Sequence, residues 1–396
     1  MKRMLLLLAF ALFSTIAGAQ SYYQDAKNSE MLRHADRHEP CRRELVLPQV
    51  NGYDVYKADL HTHTVFSDGQ VMPLLRVYEA WLDGLDIMAV TEHIEYRPRE
   101  GEYVSYLKKY VDEKYDGAIN IRIGDKAATQ EGIMVDLNHC VKLSQKEAMK
   151  YGILIIPGSE ITRSGSAVGH FNALFTTDNN LIYDPDPLKS LRNAKAQGAL
   201  IQHNHPGWTR ENIDFTETEK IAYSEGLIDG VEVMNGAEFY PGIIERVQKY
   251  GQFISANSDI HSTTAVSYNL YGAIRPMTLV FAKENTLEAV REALEADRTL
   301  ALGFDTLCGE EQLLKDFFTA GVKVRVIRKT DKAIELAVTN TTSIPYTIRK
   351  GQANQQKLDA FSTIKLSVSK QAKTLDLTVL NMFSGKDIHP TVKLTF

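Results

Sequence analysis

Cysteine is scarce in this chain, with three residues among 396. Cys41, Cys140 and Cys308 lack the close paired spacing of a thiolate metal site. In an oxidising compartment they would allow at most one disulfide and a leftover thiol. We therefore expect buried free thiols.

A strong excess of positive charge is also absent. The net charge is -5 at pH 7, and no stretch of residues 53–304 is strongly basic. Binding of a long nucleic acid requires a clustered cationic surface, so the composition argues against that partner. A small anionic substrate needs only a local positive site and is not excluded. The sequence indicates no particular protein partner.

Long hydrophobic runs are missing except at the N-terminus. Residues 4–13 are apolar, follow Lys2 and Arg3, and precede the small residues Ala17-Gly18-Ala19. This pattern predicts a secretory signal peptide at residues 1–19, cleaved after Ala19. The run is too short to cross a bilayer comfortably, although a short membrane anchor is the alternative. We expect a periplasmic or secreted protein with no membrane span after signal removal.

Apolar runs and helical patterns alternate over residues 53–304. Seven candidate strands lie at residues 53–60, 85–90, 153–157, 171–175, 199–202, 230–234 and 252–256. Most are short and continuously apolar, as is typical of parallel strands buried on both faces. The alternation predicts an α/β fold that is closed into a barrel.

The pattern changes after residue 302. Apolar and polar residues alternate at residues 322–327, 334–338, 364–368, 375–380 and 392–396. This period of two predicts a C-terminal domain at residues 320–396, built as a small antiparallel β-sheet or β-sandwich. Residues 20–52 form a polar lead-in. Residues 94–140 are long for a loop and rich in Tyr, which indicates either a lid or a helical excursion on the barrel flank.

Candidate metal ligands lie near the strand ends. His61 and His63 follow the first strand at a spacing that points both imidazoles to one side. Carboxylates and imidazoles recur near later strands, giving the additional candidates Asp68, His93, Glu160, His170, His205, Asp259 and His261. A barrel brings the C-terminal ends of its strands to one face, so these side chains are expected to converge.

These motifs resemble those of a known family. They are His61-Thr62-His63 with Asp68, Thr91-Glu92-His93, Gly158-Ser159-Glu160, His205-Pro206 and Ser258-Asp259-Ile260-His261. The chain resembles the polymerase and histidinol phosphatase (PHP) family of metal-dependent phosphoesterases over about residues 53–261. The resemblance implies a distorted (β/α)7 barrel, unlike the eight-stranded TIM barrel. It also implies a di- or trinuclear site with two or three divalent ions, which could be Zn, Mn or Fe.

The resemblance also implies how the ligands divide. His61, His63 and Asp259 would hold the first ion together with Glu160. Glu160 would bridge to a second ion at His170 and His205, and the third would lie at Asp68, His93 and His261. His205 matches the family motif better than His203, because the ligand stands directly before the proline. His170 is the least secure member, since it precedes its apolar run instead of following it.

The implied activity is hydrolysis of phosphoesters by a metal-activated water. Asp68 and His261 are the candidate proton-transfer residues, and Arg163, His203 and Arg275 are candidates for substrate binding. The predicted secretion favours small or short phosphodiesters as substrates, while a phosphomonoesterase of the same family is an alternative. An amide or lactone hydrolase is a second alternative, although such enzymes generally use a Lys as the bridging ligand where this chain has a Glu. A non-catalytic binding protein is a third alternative, but a site that no longer catalyses a reaction would be expected to lose metal ligands.

Overall fold

The computed structural model describes residues 22–34, 41–98, 119–121, 133–161 and 168–396. The chain divides into two compact units, Met1–Arg42 and Arg43–Phe396. The first unit contains an antiparallel pair, β1 (Tyr22–Gln24) and β2 (Leu32–His34). The predicted signal peptide and most of residues 94–140 lie outside the described residues.

The second unit begins with alternating strands and helices. Its strands up to residue 309 are β3 (Asp54–Asp59), β4 (Ile87–Val90), β5 (Ile119–Ile121), β6 (Ile133–Val135), β7 (Leu154–Ile161), β8 (His170–Leu174), β9 (Leu200–Asn204), β10 (Gly230–Asn235), β11 (Glu238–Phe239), β12 (Phe253–Asn257), β13 (Met277–Ala282), β14 (Thr299–Gly303) and β15 (Thr306–Gly309). Its helices are α1 (Pro73–Leu82), α2 (His139–Ala148), α3 (Pro187–Ala196), α4 (Glu217–Ser224), α5 (Ile244–Tyr250), α6 (Thr264–Ser267), α7 (Leu287–Glu295) and α8 (Glu311–Gly321). All seven predicted strands are present, and β5, β6, β11, β13, β14 and β15 are additional.

Local sequence explains several helix ends. Helix α1 begins at Pro73, whose fixed φ suits the first helical position. Helix α4 begins with a capping box in which the Thr216 side chain accepts from the Glu219 N–H and the Glu219 carboxylate accepts from the Thr216 N–H. Helix α5 ends at Gly251, where φ is 59° and glycine has no steric penalty.

The main sheet is curled and rich in parallel pairs. Strands β3, β4 and β7 are parallel neighbours, and β12 and β9 both run parallel to β10. The expectation of a parallel strand at residues 171–175 is wrong, because β8 runs antiparallel to both β7 and β9. Residues 162–169 separate β7 from β8, and this connection is too short for a parallel crossover, which takes about a dozen residues. The mixed α/β barrel architecture itself is confirmed.

Side chains connect β12 to the far end of this sheet. Thr278 Oγ1 on β13 donates to Ala256 O at 3.0 Å and accepts from Ala256 N at 3.1 Å. Thr299 Oγ1 on β14 donates to Ile254 O at 2.7 Å and accepts from Ile254 N at 3.2 Å. Two hydroxyl groups therefore satisfy backbone groups of β12 that a neighbouring strand would otherwise pair.

Small antiparallel sheets follow the barrel. Their strands are β16 (Val322–Lys329), β17 (Ala333–Asn340), β18 (Tyr346–Arg349), β19 (Gln356–Leu358), β20 (Thr363–Ser369), β21 (Thr374–Val379) and β23 (Thr391–Thr395), with β22 (Met382–Phe383) joining the barrel sheet. One sheet has the order β16-β17-β20 and the other the order β19-β18-β21-β23. All five predicted segments form strands. Because β22 pairs with β15, the C-terminal region also contributes a strand to the barrel sheet.

Helix α8 joins the barrel to the small sheets. Phe317 packs edge-on against Phe281 of β13, with ring centroids 6.1 Å apart. The next residue, Phe318, packs edge-on against Tyr346 of β18 at 4.8 Å. All four side chains are buried in one hydrophobic core. The barrel and the small sheets therefore share apolar contacts.

Cys140 and Cys308 are buried free thiols, as predicted, whereas Cys41 is exposed. Among the residues that the structure describes, no helix is both long enough and apolar enough to cross a membrane.

Candidate metal centre

His61 and His63 stand just past β3, and both side chains are buried. Their Nε2 atoms lie 3.3 and 3.1 Å from Asp259 Oδ1. Each Nε2 is also 3.4 Å from Glu160 Oε2. The Nδ1 atom of His61 contacts Glu232 Oε1 at 2.9 Å, which leaves Nε2 as the nitrogen that faces the other ligand candidates.

Glu160 lies near the end of β7 and presents its two oxygens to different imidazoles. Oε2 faces the histidines after β3 and lies 2.8 Å from His93 Nδ1. Oε1 lies 3.4 Å from His170 Nδ1 and 3.7 Å from His205 Nε2. The side chain is buried, so its charge must be balanced by neighbouring groups.

Asp259 follows β12 in a left-handed backbone conformation, with φ at 51°. This conformation is uncommon for a residue other than glycine, and such strain is characteristic of functional sites. The Asp259 N–H donates to His61 O at 3.0 Å. The preceding Ser258 N–H donates to Asp59 Oδ1 at 3.1 Å, so the end of β3 holds the loop that carries Asp259.

Asp68, His93 and His261 form a neighbouring group at the more exposed edge. Asp68 Oδ1 lies 3.0 Å from His261 Nε2 and 3.5 Å from His93 Nε2. The His261 side chain is 36% exposed and that of Asp68 is 20% exposed. The rings of His93 and His261 each stack on that of His63 with a centroid distance of 4.4 Å, and they lie 6.2 Å from each other.

His170 reaches the site because β8 is antiparallel. The N-terminal end of β8, where His170 stands, pairs with Asn204 at the C-terminal end of β9. A ligand candidate that precedes its strand thus lies on the same barrel face as those that follow theirs. His205 stands one residue past β9 with φ at 24°, and its N–H donates to Glu232 Oε2 at 2.8 Å.

The prediction of substrate binding by His203 does not fit its position. Its side chain is buried, with Nδ1 3.0 Å from the Tyr223 hydroxyl and Nε2 3.0 Å from Glu219 Oε1. Asn204, the next residue of β9, instead faces the site and donates to Glu160 Oε1 at 3.0 Å. Residues 203 and 205 lie in different environments, because the backbone turns at His205, where φ is 24°.

The prediction that Arg275 binds substrate does not fit either. Its guanidinium is buried, 3.2 Å from Asp59 Oδ2 and 2.8 Å from Asp83 Oδ2. This cation therefore neutralises two carboxylates inside the protein. Arg163, the other arginine predicted to bind substrate, lies outside the described residues.

A solved structure matches the chain over most of its length. It is a two-domain protein from Bacteroides vulgatus that contains a predicted PHP-like metal-dependent phosphoesterase. The two proteins share 32% sequence identity with a TM-score of 0.77, and the match covers 91% of this chain and 100% of the other. This chain belongs to the PHP-like metal-dependent phosphoesterase family.

Other similarities to this PHP-like protein are weaker. A protein from Bifidobacterium adolescentis assigned as a metal-dependent phosphoesterase is 15% identical, with a TM-score of 0.35 over 52% of this chain and 88% of the other. A lesion-specific endonuclease from Pyrococcus furiosus is 17% identical, with a TM-score of 0.38 over 65% of this chain and 59% of the other. Neither adds to the family assignment. No family model and no curated protein matches the chain.

Glu232 is a buried residue of the PHP-like site that the sequence analysis missed. It lies inside β10, between Val231 and Val233. Besides contacting His61, its carboxylate accepts from Asn257 Nδ2 at 2.9 Å and from Asn235 Nδ2 at 2.8 Å. A charged residue within an otherwise apolar strand was the available signal, since burial of a carboxylate requires specific partners.

Arg76 was also missed. Its buried side chain donates from Nε to His63 O at 3.0 Å and from Nη2 to His261 O at 3.2 Å. Its Nη1 donates to Glu79 Oε2 at 2.8 Å. One guanidinium thus fixes the backbone of two ligand candidates that are far apart in the sequence, and the sequence gives no indication of this role.

Glu92 stands beside His93 in the Thr91-Glu92-His93 motif, and its side chain is buried. Its carboxylate accepts from Ser67 Oγ, and that hydroxyl lies 3.4 Å from His63 Nδ1. Glu92 therefore reaches His63 through a serine instead of contacting an imidazole directly.

Burial and charge oppose each other strongly in this site. Burial lowers the pKa of His93, but Glu160 and Asp68 outweigh it and raise the pKa to about 10. Burial also lowers the pKa of His63, and the nearby His261 and His93 add to that effect, giving about 4. Burial raises the pKa of Glu160, but the surrounding imidazoles bring it well below the ordinary value. The imidazoles around Glu160 therefore favour the ionised form of its carboxylate.

The donor set fits divalent metal ions. Three overlapping groups bring their ligand atoms close together: His63, Asp68, His93 and His261; His61, His63 and Asp259; and His61, Glu160 and His205. Within the described residues, His61 Nε2 and His63 Nε2 are buried without a hydrogen-bond partner. Metal–ligand bonds of 2.0–2.2 Å place adjacent ligand atoms ~3.3 Å apart in a tetrahedron. The contacts of 3.1–3.4 Å around His61 and His63 have this spacing.

Proposed function

We propose that this PHP-like protein hydrolyses small or short phosphodiesters, using two or three divalent metal ions. The observation that carries the proposal is the placement of Glu160, whose two oxygens face separate sets of imidazoles. Oε2 lies 3.4 Å from Nε2 of both His61 and His63, and Oε1 lies 3.4 Å from His170 Nδ1. A carboxylate in this position can bridge two cations and offset their mutual repulsion.

The ligand candidates support a consistent division among ions. His61, His63 and Asp259 would hold one ion, with Glu160 linking it to a second ion near His205. Asp68, His93 and His261 would hold the third. Because Nδ1 of His61 contacts Glu232, that imidazole would hold one ion through Nε2. Bound divalent ions would activate water and neutralise phosphoryl oxygens.

Side chains of the protein supply the remaining steps. His261 and Asp68 are in contact at the exposed edge, where a leaving group can reach them. When a third ion is not bound, His261 Nε2 or Asp68 Oδ1 would be positioned to pass a proton to the leaving oxygen. Arg76 fixes the backbone on which His63 and His261 stand, which limits movement of the ligand atoms during turnover.

Among the described residues, two arginines near the site are engaged by protein groups, which favours a diester substrate. Arg76 donates to two carbonyl groups and to Glu79. Arg210, beside His170 and His205, forms two hydrogen bonds with Glu219. These arginines are committed to protein groups, whereas a monoester dianion would gain more from an additional cation than a diester monoanion.

The deciding experiment measures metal content and substrate preference together. Protein loaded with Mn, Zn or Fe should hold two or three ions per chain by elemental analysis. It should hydrolyse bis-p-nitrophenyl phosphate faster than p-nitrophenyl phosphate, and a nucleotide panel would then narrow the substrate class. The Asp259→Asn variant, which keeps the size of the side chain but loses its charge, should lose metal and turnover together.

Three outcomes would contradict the proposal. A metal content below one ion per chain would contradict the proposed metal site. Faster hydrolysis of p-nitrophenyl phosphate than of bis-p-nitrophenyl phosphate would indicate a phosphomonoesterase. Turnover of amide or lactone substrates without phosphoester hydrolysis would assign amidohydrolase-type chemistry.

We further propose that the protein is exported to the periplasm or secreted. The supporting feature is the signal-peptide pattern at residues 1–19. N-terminal sequencing of the mature protein should begin at Gln20, and an intact Met1 on the native protein would refute export by this signal.

A further inference from the structure

Charge is unevenly distributed between the barrel region and the C-terminal sheets. Residues 43–321 carry 26 Lys and Arg against 41 Asp and Glu, a net charge of -15. Residues 322–396 carry 13 Lys and Arg against five Asp and Glu, a net charge of +8. The two regions therefore carry opposite net charges, even if bound metal ions neutralise part of the negative charge of residues 43–321.

Four exposed lysines cluster at one end of the β16-β17-β20 sheet. Lys329 and Lys332 flank the β16–β17 turn, and Lys370 and Lys373 lie in the turn after β20. The two turns are adjacent, because Ala333 pairs with Ser369 at the last rung of the β17–β20 ladder. We call these four residues the lysine tip.

The lysine tip points away from the connection to the barrel. Strand β16 leaves α8 at Val322, where it pairs with Asn340 of β17. It reaches the tip at its other end, where Lys329 pairs with Ile334. The cations therefore lie at the end of the sheet opposite α8 and are available to an approaching surface.

The four lysines of the tip repel one another. The β17–β20 ladder ends at Ala333 and Ser369, so Lys332 and Lys370 are the next residues beyond the same rung, and like charges near one another repel. Among the described residues of the C-terminal sheets, the ion pair that forms joins Arg328 to Glu335, outside the tip. Asp331 is the acidic residue within these turns. Four lysines kept together without acidic partners indicate an anionic binding partner.

The chemistry of the tip favours a membrane over a nucleic acid. Residues 329–332 and 370–373 contain no aromatic side chain on which a base could stack. They contain no arginine, whose planar fork recognises phosphate specifically. Lysines act as mobile point charges, and clusters of this size bind anionic lipid surfaces by additive attraction. The two turns are also too small for the ~1,000 Å² that a specific duplex interface buries.

We propose that the lysine tip docks the protein on membranes rich in anionic phospholipid headgroups. The acidic barrel region is then repelled from the same surface, so the charge distribution orients the molecule with the tip toward the lipid. This inference concerns a surface separate from the metal centre and does not depend on the proposed substrate.

The test is co-sedimentation of full-length, metal-loaded protein with lipid vesicles. Wild type should bind vesicles of phosphatidylglycerol and phosphatidylcholine in equal parts, but not phosphatidylcholine alone, and salt should weaken the binding. Changing Lys329, Lys332, Lys370 and Lys373 together to Gln should weaken binding by roughly tenfold or more. The matched control changes four exposed lysines outside the C-terminal sheets to Gln, namely Lys146, Lys150, Lys220 and Lys249. It has the same net charge as the tip variant and should bind like wild type.

Each of the following results would overturn the inference. Failure of wild type to bind either vesicle excludes membrane docking. Equal loss in both variants shows that net charge, not the tip, controls binding. Binding to a duplex oligonucleotide but not to vesicles reassigns the surface to nucleic acid. The thermal midpoint of the tip variant should not fall, since relief of like-charge repulsion favours folding, and this separates lost docking from lost structure.

Discussion

His61 Nδ1 and Glu232 Oε1 lie 2.9 Å apart, and both side chains are fully buried. They are 171 residues apart in sequence, and β12 lies between their strands, since it pairs with β10 and the residues after it bridge to those after β3. The carboxylate fixes the ring so that Nε2 points toward Asp259 and Glu160. A buried carboxylate behind a ligating imidazole both orients the ring and increases its basicity.

We predict that Glu232→Gln weakens metal binding by about 10–100-fold while the fold is kept. The amide has nearly the same shape but lacks the charge that supports His61. Competition with a chelator would measure the affinity, and circular dichroism would verify the fold. Glu284→Gln, at an exposed position, is the matched control and should bind metal like wild type. Unchanged affinity in Glu232→Gln would show that this contact does not support the site.

We predict opposite effects for two neighbouring histidines. His205→Gln should lower metal content and turnover, because its Nε2 faces Glu160 and Asp259. His203→Gln should retain metal but lose about 1–3 kcal/mol of unfolding free energy, because its ring contacts Tyr223 and Glu219 in the interior. Elemental analysis and urea unfolding separate the two effects. Loss of metal in His203→Gln with normal stability would place that ring in the site after all.

We predict a pH-dependent stability contribution from Glu219. Burial raises the pKa of this carboxyl, but His203 and Arg210 outweigh it and lower the pKa to about 2, from an ordinary value of 4.5. A depressed pKa stabilises the folded state above pH 4.5, and the contribution is lost as pH falls from there through 2. The gap in unfolding free energy between wild type and Glu219→Gln should therefore be largest near neutral pH and narrow below pH 4.5. A gap that is constant across this range would contradict the assigned ionisation.

We predict that Phe317→Ala destabilises the barrel and the C-terminal sheets together, by about 3–5 kcal/mol. Phe317 contacts the barrel residue Phe281, and its neighbour Phe318 contacts Tyr346 of the small sheets. Thermal unfolding should remain a single transition with a lower midpoint. Ile221→Ala, at a partly exposed helix position, should shift the midpoint much less. Two separated transitions would show that the C-terminal sheets unfold independently of the barrel.

The sequence alone determined the chemistry of the site. The spacing of His61 and His63 after an extended strand placed two imidazoles on one side, because side chains alternate along a strand. The same reasoning located Glu160, near the end of β7, and Asp259, which follows β12. The period-two pattern after residue 320 likewise indicated the antiparallel sheets, since local alternation is a property of the strand itself.

Only the tertiary structure decided which buried groups became partners. Arg275 has the same sequence features as a substrate-binding arginine, yet it neutralises Asp59 and Asp83. His203 obeys the strand spacing of His205, but a single turn in the backbone separates their environments. Glu232 supports His61 because the order of strands in the barrel places β10 close to β3, with β12 between them. Spacing along the chain fixes where neighbouring side chains point, whereas contacts between distant residues depend on strand order and direction, which local spacing does not encode.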